Sequence, residues 1–202
     1  RAYDNGYKLP APPDIPKTKA IIDNRKVTLY WAANSEYSVD PISGKKDFEG
    51  YRIYRTNPGA ELSLNADLTN QLKLIADFDS TGNRYFNNTG FGYIKLSSPV
   101  LFDGDTTKYW YKFDFPDQLN GFQYIYSITG YDKGDSAQQL GSLESSLLSN
   151  TQRLIVGTPA NNNEDAEIGV YPNPYYGSAY WDGTGVKAEV LRKIYFYNLP
   201  SK

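Results

Sequence analysis

The 202-residue chain has no cysteine, no histidine and no methionine. Without cysteine there is no disulfide and no thiolate nucleophile. Without histidine there is no imidazole base, and without either there is no Cys/His zinc site. Most common hydrolase and metalloenzyme mechanisms are removed on those grounds. From the lack of methionine a processed or truncated chain is expected rather than a complete translation product, and no signal peptide is expected at Arg1. Long apolar runs are missing as well. With a mean hydropathy of −0.60, no helix is expected to span a membrane. Neither sign of charge dominates: 21 Lys and Arg face 23 Asp and Glu, a net charge of −2. A nucleic-acid partner, which needs a clustered basic face, is therefore not expected.

Aromatic residues are abundant. Tyr contributes 19, Phe 9 and Trp 3, beside 17 Gly and 12 Pro. Aromatic rings suit half-buried pleated surfaces, while Gly and Pro punctuate turns, so the composition points to an all-β chain. No stretch keeps a 3.6-residue apolar period over three turns, and the Leu-rich piece from Leu62 to Leu74 leaves room only for a short helix. Period-two patterns predict strands at Ala20–Ile22, KVTLYW from Lys26, GYRIYR from Gly50 and KLIADF from Lys73. Further strands are expected at KYWYKFDF from Lys108, FQYIYSITGYD from Phe122, and Thr151–Val156. Residues 79–107 read as irregular. About seven strands without helical spacers imply an antiparallel sandwich. Its expected core is Val27, Leu29, Trp31, Tyr51, Ile53, Leu74, Tyr124, Tyr126 and Ile128.

The organisation follows from composition. Residues 1–16, with Pro10, Pro12, Pro13 and Pro16, form an extended lead-in. The sandwich is expected over 17–157. The polar, acidic TPANNNEDAEI stretch around 158–168 is a linker. Residues 169–202 are too few for a β domain of their own, and they read as the first strands of a second sandwich, with Ile194, Phe196 and Leu199 available to its core.

Over Leu9 to Val156 the chain resembles a fibronectin type III domain. The resemblance rests on LPAPPDIP, KVTLYW ending in Trp31, DFEGYRIYR, LNGFQYIYSITGYDKGD and LESSLLSN. It implies an immunoglobulin-like antiparallel sandwich, here with a long insertion between Asn57 and Asp105. It places the family's structural roles on Trp31, Tyr51, Ile53, Leu119 and Tyr124, with Tyr124 as the corner tyrosine whose hydroxyl returns to nearby backbone. The tail, VYPNPYYGSAYWDG followed by KIYFYNLPSK, is similar to the opening of the immunoglobulin-like C-terminal domains of type IX secretion cargo and of hook-capping proteins. That similarity implies a secreted or surface-anchored protein of a Gram-negative bacterium.

Several residues are candidates for chemistry. DFDSTGN begins like a calcium loop, with Asp77, Asp79 and Thr81 as oxygen donors, but its twelfth position is Asn88 and the bidentate Glu is missing. Solvated turn residues are the simpler reading, and no cofactor is expected beyond that calcium option. Asp47 and Glu49 are spaced to share a strand face, and surface solubility explains them better than paired-carboxylate catalysis. Ser145 and Ser146 have no histidine to activate them. Tyr30, Tyr54, Tyr109, Tyr111 and Tyr131 are expected on outer faces, where a row of rings stacks on sugars or is covered by neighbours. If the secretion resemblance holds, the Asp-Ser/Thr-small triplets make Ser80, Thr106 and Ser136 candidate O-glycosylation sites.

The expected function is a non-catalytic spacer, adhesion or assembly module of a secreted or cell-surface protein. Its expected partners are other domains of the same polypeptide, other subunits or cell-surface polysaccharide. A carbohydrate-binding accessory module of an extracellular hydrolase, and a fibre subunit joined by strand exchange, are the alternatives.

Overall fold

The structure is a computed structural model and describes residues 6, 9–58, 67–135, 139–158, 167–171, 173, 194–197 and 199. Eight strands build two antiparallel four-stranded sheets. One sheet has the order β1-β2-β6-β5, from β1 (Thr18–Asp23), β2 (Lys26–Ala32), β5 (Lys95–Val100) and β6 (Tyr109–Phe115). The other has the order β4-β3-β7-β8, from β3 (Phe48–Arg55), β4 (Lys73–Asp79), β7 (Gln123–Asp132) and β8 (Thr151–Ile155). A single helical turn, α1 (Leu68–Gln71), is capped by the Asp67 carboxylate, which accepts from the Thr69 amide.

The two sheets face each other across one apolar cluster. Val27, Leu29, Trp31, Tyr111 and Phe115 come from the first sheet, and Tyr51, Ile53, Tyr124, Tyr126 and Ile128 from the second. The protein is thus an all-β sandwich. Aromatic packing dominates its middle: Trp31 stacks on Tyr111 with ring centroids 5.6 Å apart and meets the edge of Tyr51 at 5.7 Å. Each of these large buried side chains contributes roughly 1.5–3 kcal/mol. Two polar devices close the ends. The Tyr124 hydroxyl accepts from the Leu119 amide at 3.0 Å and ties the turn after β6 to β7. The buried Asn150 amide donates to Ile128 O at 2.7 Å and to Thr18 Oγ1 at 2.8 Å, which joins the first strand to the segment leading into β8.

Three expectations need correction. Leu74 is half exposed, because a bulge in the pairing of β3 with β4 after Ile53 resets the register of this edge strand, while Leu72 fills a small satellite cluster with Ile125. The stretch 79–107 is not irregular throughout: it contains β5, an edge strand that pairs with β6 only at Lys95 and Val100 and carries Pro99. Glu49 is not a surface residue. It is buried and accepts from Asn83 Nδ2 at 2.8 Å.

In the tail, β9 (Gly169–Tyr171) and β10 (Tyr195–Tyr197) form an antiparallel pair of their own. Ile194, Phe196 and Leu199 are exposed there. The rest of the tail lies outside the described residues.

Candidate functional site

The candidate stacking tyrosines do not form a platform. Tyr111 points inward: its ring packs on Trp31, and its hydroxyl donates to Glu36 Oε1 at 2.5 Å. Burial, and then that carboxylate, raise its pKa. Glu36 sits in the 3-10 turn Asn34–Tyr37 and also accepts from Tyr51 at 3.1 Å, so one carboxylate oxygen holds two core phenols. Tyr109 follows a bulge between Trp31 and Ala32, and Phe102 of the preceding loop fills the gap between Tyr109 and Tyr30, edge-on to both at 5.3 and 5.2 Å. The Tyr109 hydroxyl donates to Asp105 at 2.7 Å; burial and this carboxylate push its pKa up to about 12.

On the opposite outer face, Tyr54 and Tyr131 are closed over by chain that returns after β7. Glu144 accepts from Tyr54 Oη at 2.7 Å, Thr129 Oγ1 at 2.6 Å and Arg52 at 2.6 Å. Arg52 also reaches Asp77 at 3.3 Å and lies over the Tyr131 ring at 4.0 Å, and the Phe86 edge covers that ring at 5.0 Å. The sequence pattern placed Tyr30, Tyr54 and Tyr131 on outer faces, but distant loops supply the covers.

The calcium reading meets a similar fate. Asp77 is engaged by Arg52 and by the Tyr131 hydroxyl at 2.8 Å. Asp79 is buried and accepts from the amides of Asn87, Asn88 and Thr89 and from the Thr89 hydroxyl. Burial raises its pKa, but these hydrogen bonds outweigh it and the net shift is downward. Thr81 is exposed. Among the described residues no three metal-ligating side chains converge. Of the glycosylation candidates, Thr106 is exposed, Ser80 is half-buried and accepts from Asn83 Nδ2, and Ser136 lies outside the described residues. Ser145 is buried, with its hydroxyl accepting from the Gly130 amide at 3.0 Å.

What does form a concave site is the end of the sandwich where β2, β4 and β7 hand over to loops. Three buried aspartates fasten those loops. Asp40 accepts from the amides of Ile42 and Ser43 at 2.9 and 2.6 Å and fixes the turn that carries Lys45 and Lys46. Asp132 accepts from the amides of Gly134 and Leu143, both at 2.8 Å, and fixes Lys133. Asp79 fixes the loop that carries Tyr85. Between the three loops opens a cleft of about 230 Å³, lined by Lys45, Lys46, Asp47, Tyr85, Lys133 and Asp135 among others. Burial, then repulsion from Asp132 and Asp40, raises the pKa of Asp47.

A second cleft of about 190 Å³ adjoins it, lined by Ala33, Glu36, Tyr37, Lys95, Trp110 and Tyr111. The two meet at a cation–π pair, with Lys46 Nζ 4.9 Å from the centroid of the Tyr37 ring. Glu36, Tyr37, Lys45, Lys46, Lys95 and Trp110 are not among the residues that the sequence pattern singles out. The available signal is the pairs Glu36-Tyr37 and Lys45-Lys46 in the stretch between β2 and β3.

No protein-family model matches the chain, and no curated protein matches it.

Proposed function

We propose that this chain supplies a non-catalytic structural module, of the fibronectin type III kind, to a secreted or cell-surface bacterial protein. The observation that carries the reading is the path of the chain through the sandwich. It comes in beside the loop end, where Asp14 O accepts from Ser35 and Asp14 N donates to Ser38, and where Pro16 O accepts from Asn150. It goes out at the opposite end, where Val156 exchanges backbone hydrogen bonds with Gly121 and Phe122, beside the Arg25–Asn120 contact that joins the β1–β2 turn to the β6–β7 turn. Entrance and exit at opposite ends suit a unit strung in series with neighbours. The terminal strands β1 and β8 lie in different sheets, so tension along the chain is resisted by the packed interior.

The strand order supports the immunoglobulin-like assignment. Named by position, the sheets read A-B-E-D and C′-C-F-G. The corner contact from Tyr124 to Leu119 is of the expected kind. In the tail, the pairing of β9, which includes Val170, with β10, which includes Phe196, supports a second sandwich beginning there. An extracellular location rests on the tail motif.

Single-molecule pulling on the chain held between two handle domains tests the structural reading. The expected trace has one cooperative event that releases residues 17–157, on the order of 450 Å of chain. Peeling in small steps at the lowest forces would overturn it.

A further inference from the structure

We propose that the paired clefts at the loop end bind an acidic polysaccharide, a chain of sugar rings that carry carboxylates. This goes beyond the structural reading and does not depend on it. Lys45, Lys46 and Lys133 line one cleft, and Lys95 lines the other. All four are exposed; buried Asp40 and Asp132 fasten the loops of Lys45, Lys46 and Lys133, and Lys95 opens strand β5. The ammonium groups are thus presented on backbone already fixed in place, so little backbone ordering cost falls on binding.

Flat surfaces accompany the cations. Tyr37 is 67% exposed, and together with Trp110 it flanks the second cleft; Tyr85 lines the first. Pyranose faces stack on such rings, and ammonium groups pair with ring carboxylates. Glu36, Asp47 and Asp135 stand among the cations and provide acceptors for sugar hydroxyls. Those same carboxylates disfavour a nucleic acid, whose backbone offers only anionic acceptors along its length. Both clefts lie below the roughly 300 Å³ at which drug-sized pockets begin, so each suits a single ring. Their junction at Lys46 and Tyr37 makes them neighbouring subsites of one repeating ligand.

The test uses the whole chain and calorimetric titration with galacturonate hexamer, mannuronate hexamer, neutral cellohexaose, and a mixed-sequence DNA hexamer. Binding is expected for at least one uronate hexamer, with no heat from cellohexaose or DNA, and tighter binding at 50 than at 300 mM salt. Lys46→Ala and Lys133→Ala are each expected to weaken it about threefold to tenfold, and Tyr37→Ala about fivefold. All three positions are exposed, so the melting temperature should stay within about 1 °C of the parent. Lys19→Ala, on the far outer face over Phe102, should leave binding unchanged. Failure to bind either uronate, equal binding of cellohexaose, preference for DNA, or affinity that survives all three variants would each overturn the proposal. None of these outcomes touches the pulling experiment.

Discussion

Removing the Glu144 carboxylate should loosen the outer face of the second sheet while leaving the core intact. Glu144 accepts three hydrogen bonds, from Arg52, Tyr54 and Thr129, and its side chain is 26% exposed against 20% for Arg52. Truncating one partner of a fully buried ion pair costs roughly 3–5 kcal/mol. Partial exposure here, and the second carboxylate at Asp77 that Arg52 keeps, reduce that figure. Glu144→Ala is therefore expected to cost about 2–3 kcal/mol. For a sandwich of this size that corresponds to a fall of about 6–10 °C in melting temperature. Glu144→Gln keeps an acceptor for one hydroxyl but loses the charge, and should cost about 1–2 kcal/mol. Tyr54→Phe should cost about 1 kcal/mol alone and much less in the Glu144→Ala background, because both changes break the same contact. Urea denaturation gives these values from midpoints at constant slope. Hydrogen exchange adds a local readout. The Ser145 amide donates to Gly130 O, and its protection should fall in Glu144→Ala more than that of Ile53 in the core. A loss below about 0.5 kcal/mol, or full additivity with Tyr54→Phe, would refute the idea that this carboxylate fastens the returning segment.

Three further outcomes follow from single sites. Asp132 is buried; burial first, and then repulsion from Asp40, raise its pKa above the unfolded value. Its native form is therefore favoured below about pH 4, and stability is lost as pH rises through the raised value. Asp132→Asn keeps the acceptor for Gly134 and Leu143, so it should raise the melting temperature at pH 7 by on the order of 2 °C and leave it unchanged near pH 3, as scanning calorimetry at both pH values will show. A Cβ at Gly50 would overlap Phe78 O and sit 2.7 Å from the Tyr131 hydroxyl, so Gly50→Ala should cost more than about 3 kcal/mol in a chemical melt. Gly92→Ala, with open space around it, serves as the silent comparison. Asp79→Ala strands the amides of Asn87, Asn88 and Thr89; it should cost about 2–4 kcal/mol and expose the 80–91 loop to limited proteolysis, while millimolar calcium moves the melting point of neither protein by more than about 1 °C.

The sandwich was legible because burial on one face imposes alternation, and Val27-Leu29-Trp31 and Tyr124-Tyr126-Ile128 carry it without interruption. Alternation fixes which residues share a face. It does not say which face is inward, and so Tyr111 was placed outside although it lies against Trp31. Nor does it survive a bulge, and Tyr109 sits just past one. Strand β5 left almost no trace, since KLSSPV is an edge strand with few inward residues and a proline. The clefts were invisible for a different reason. Their walls come from segments near residues 36, 46, 85, 110 and 133, which only the strand pairings bring to one end. Likewise, nothing local to Tyr131 announces that Phe86 and Arg52 will cover it.

The Asn150 amide bridges Pro16 and Thr18 at one extreme of the sandwich sequence to the run into its last strand, across separations of 134 and 132 residues. Closure at such range is slow, because the loop entropy is lost before the contact rewards it. During synthesis the first sheet edge must wait, unsealed, until residue 150 has left the ribosome. At roughly 5–20 residues per second that interval lasts on the order of ten seconds, a window in which the chain is out of the ribosome before its fold has locked.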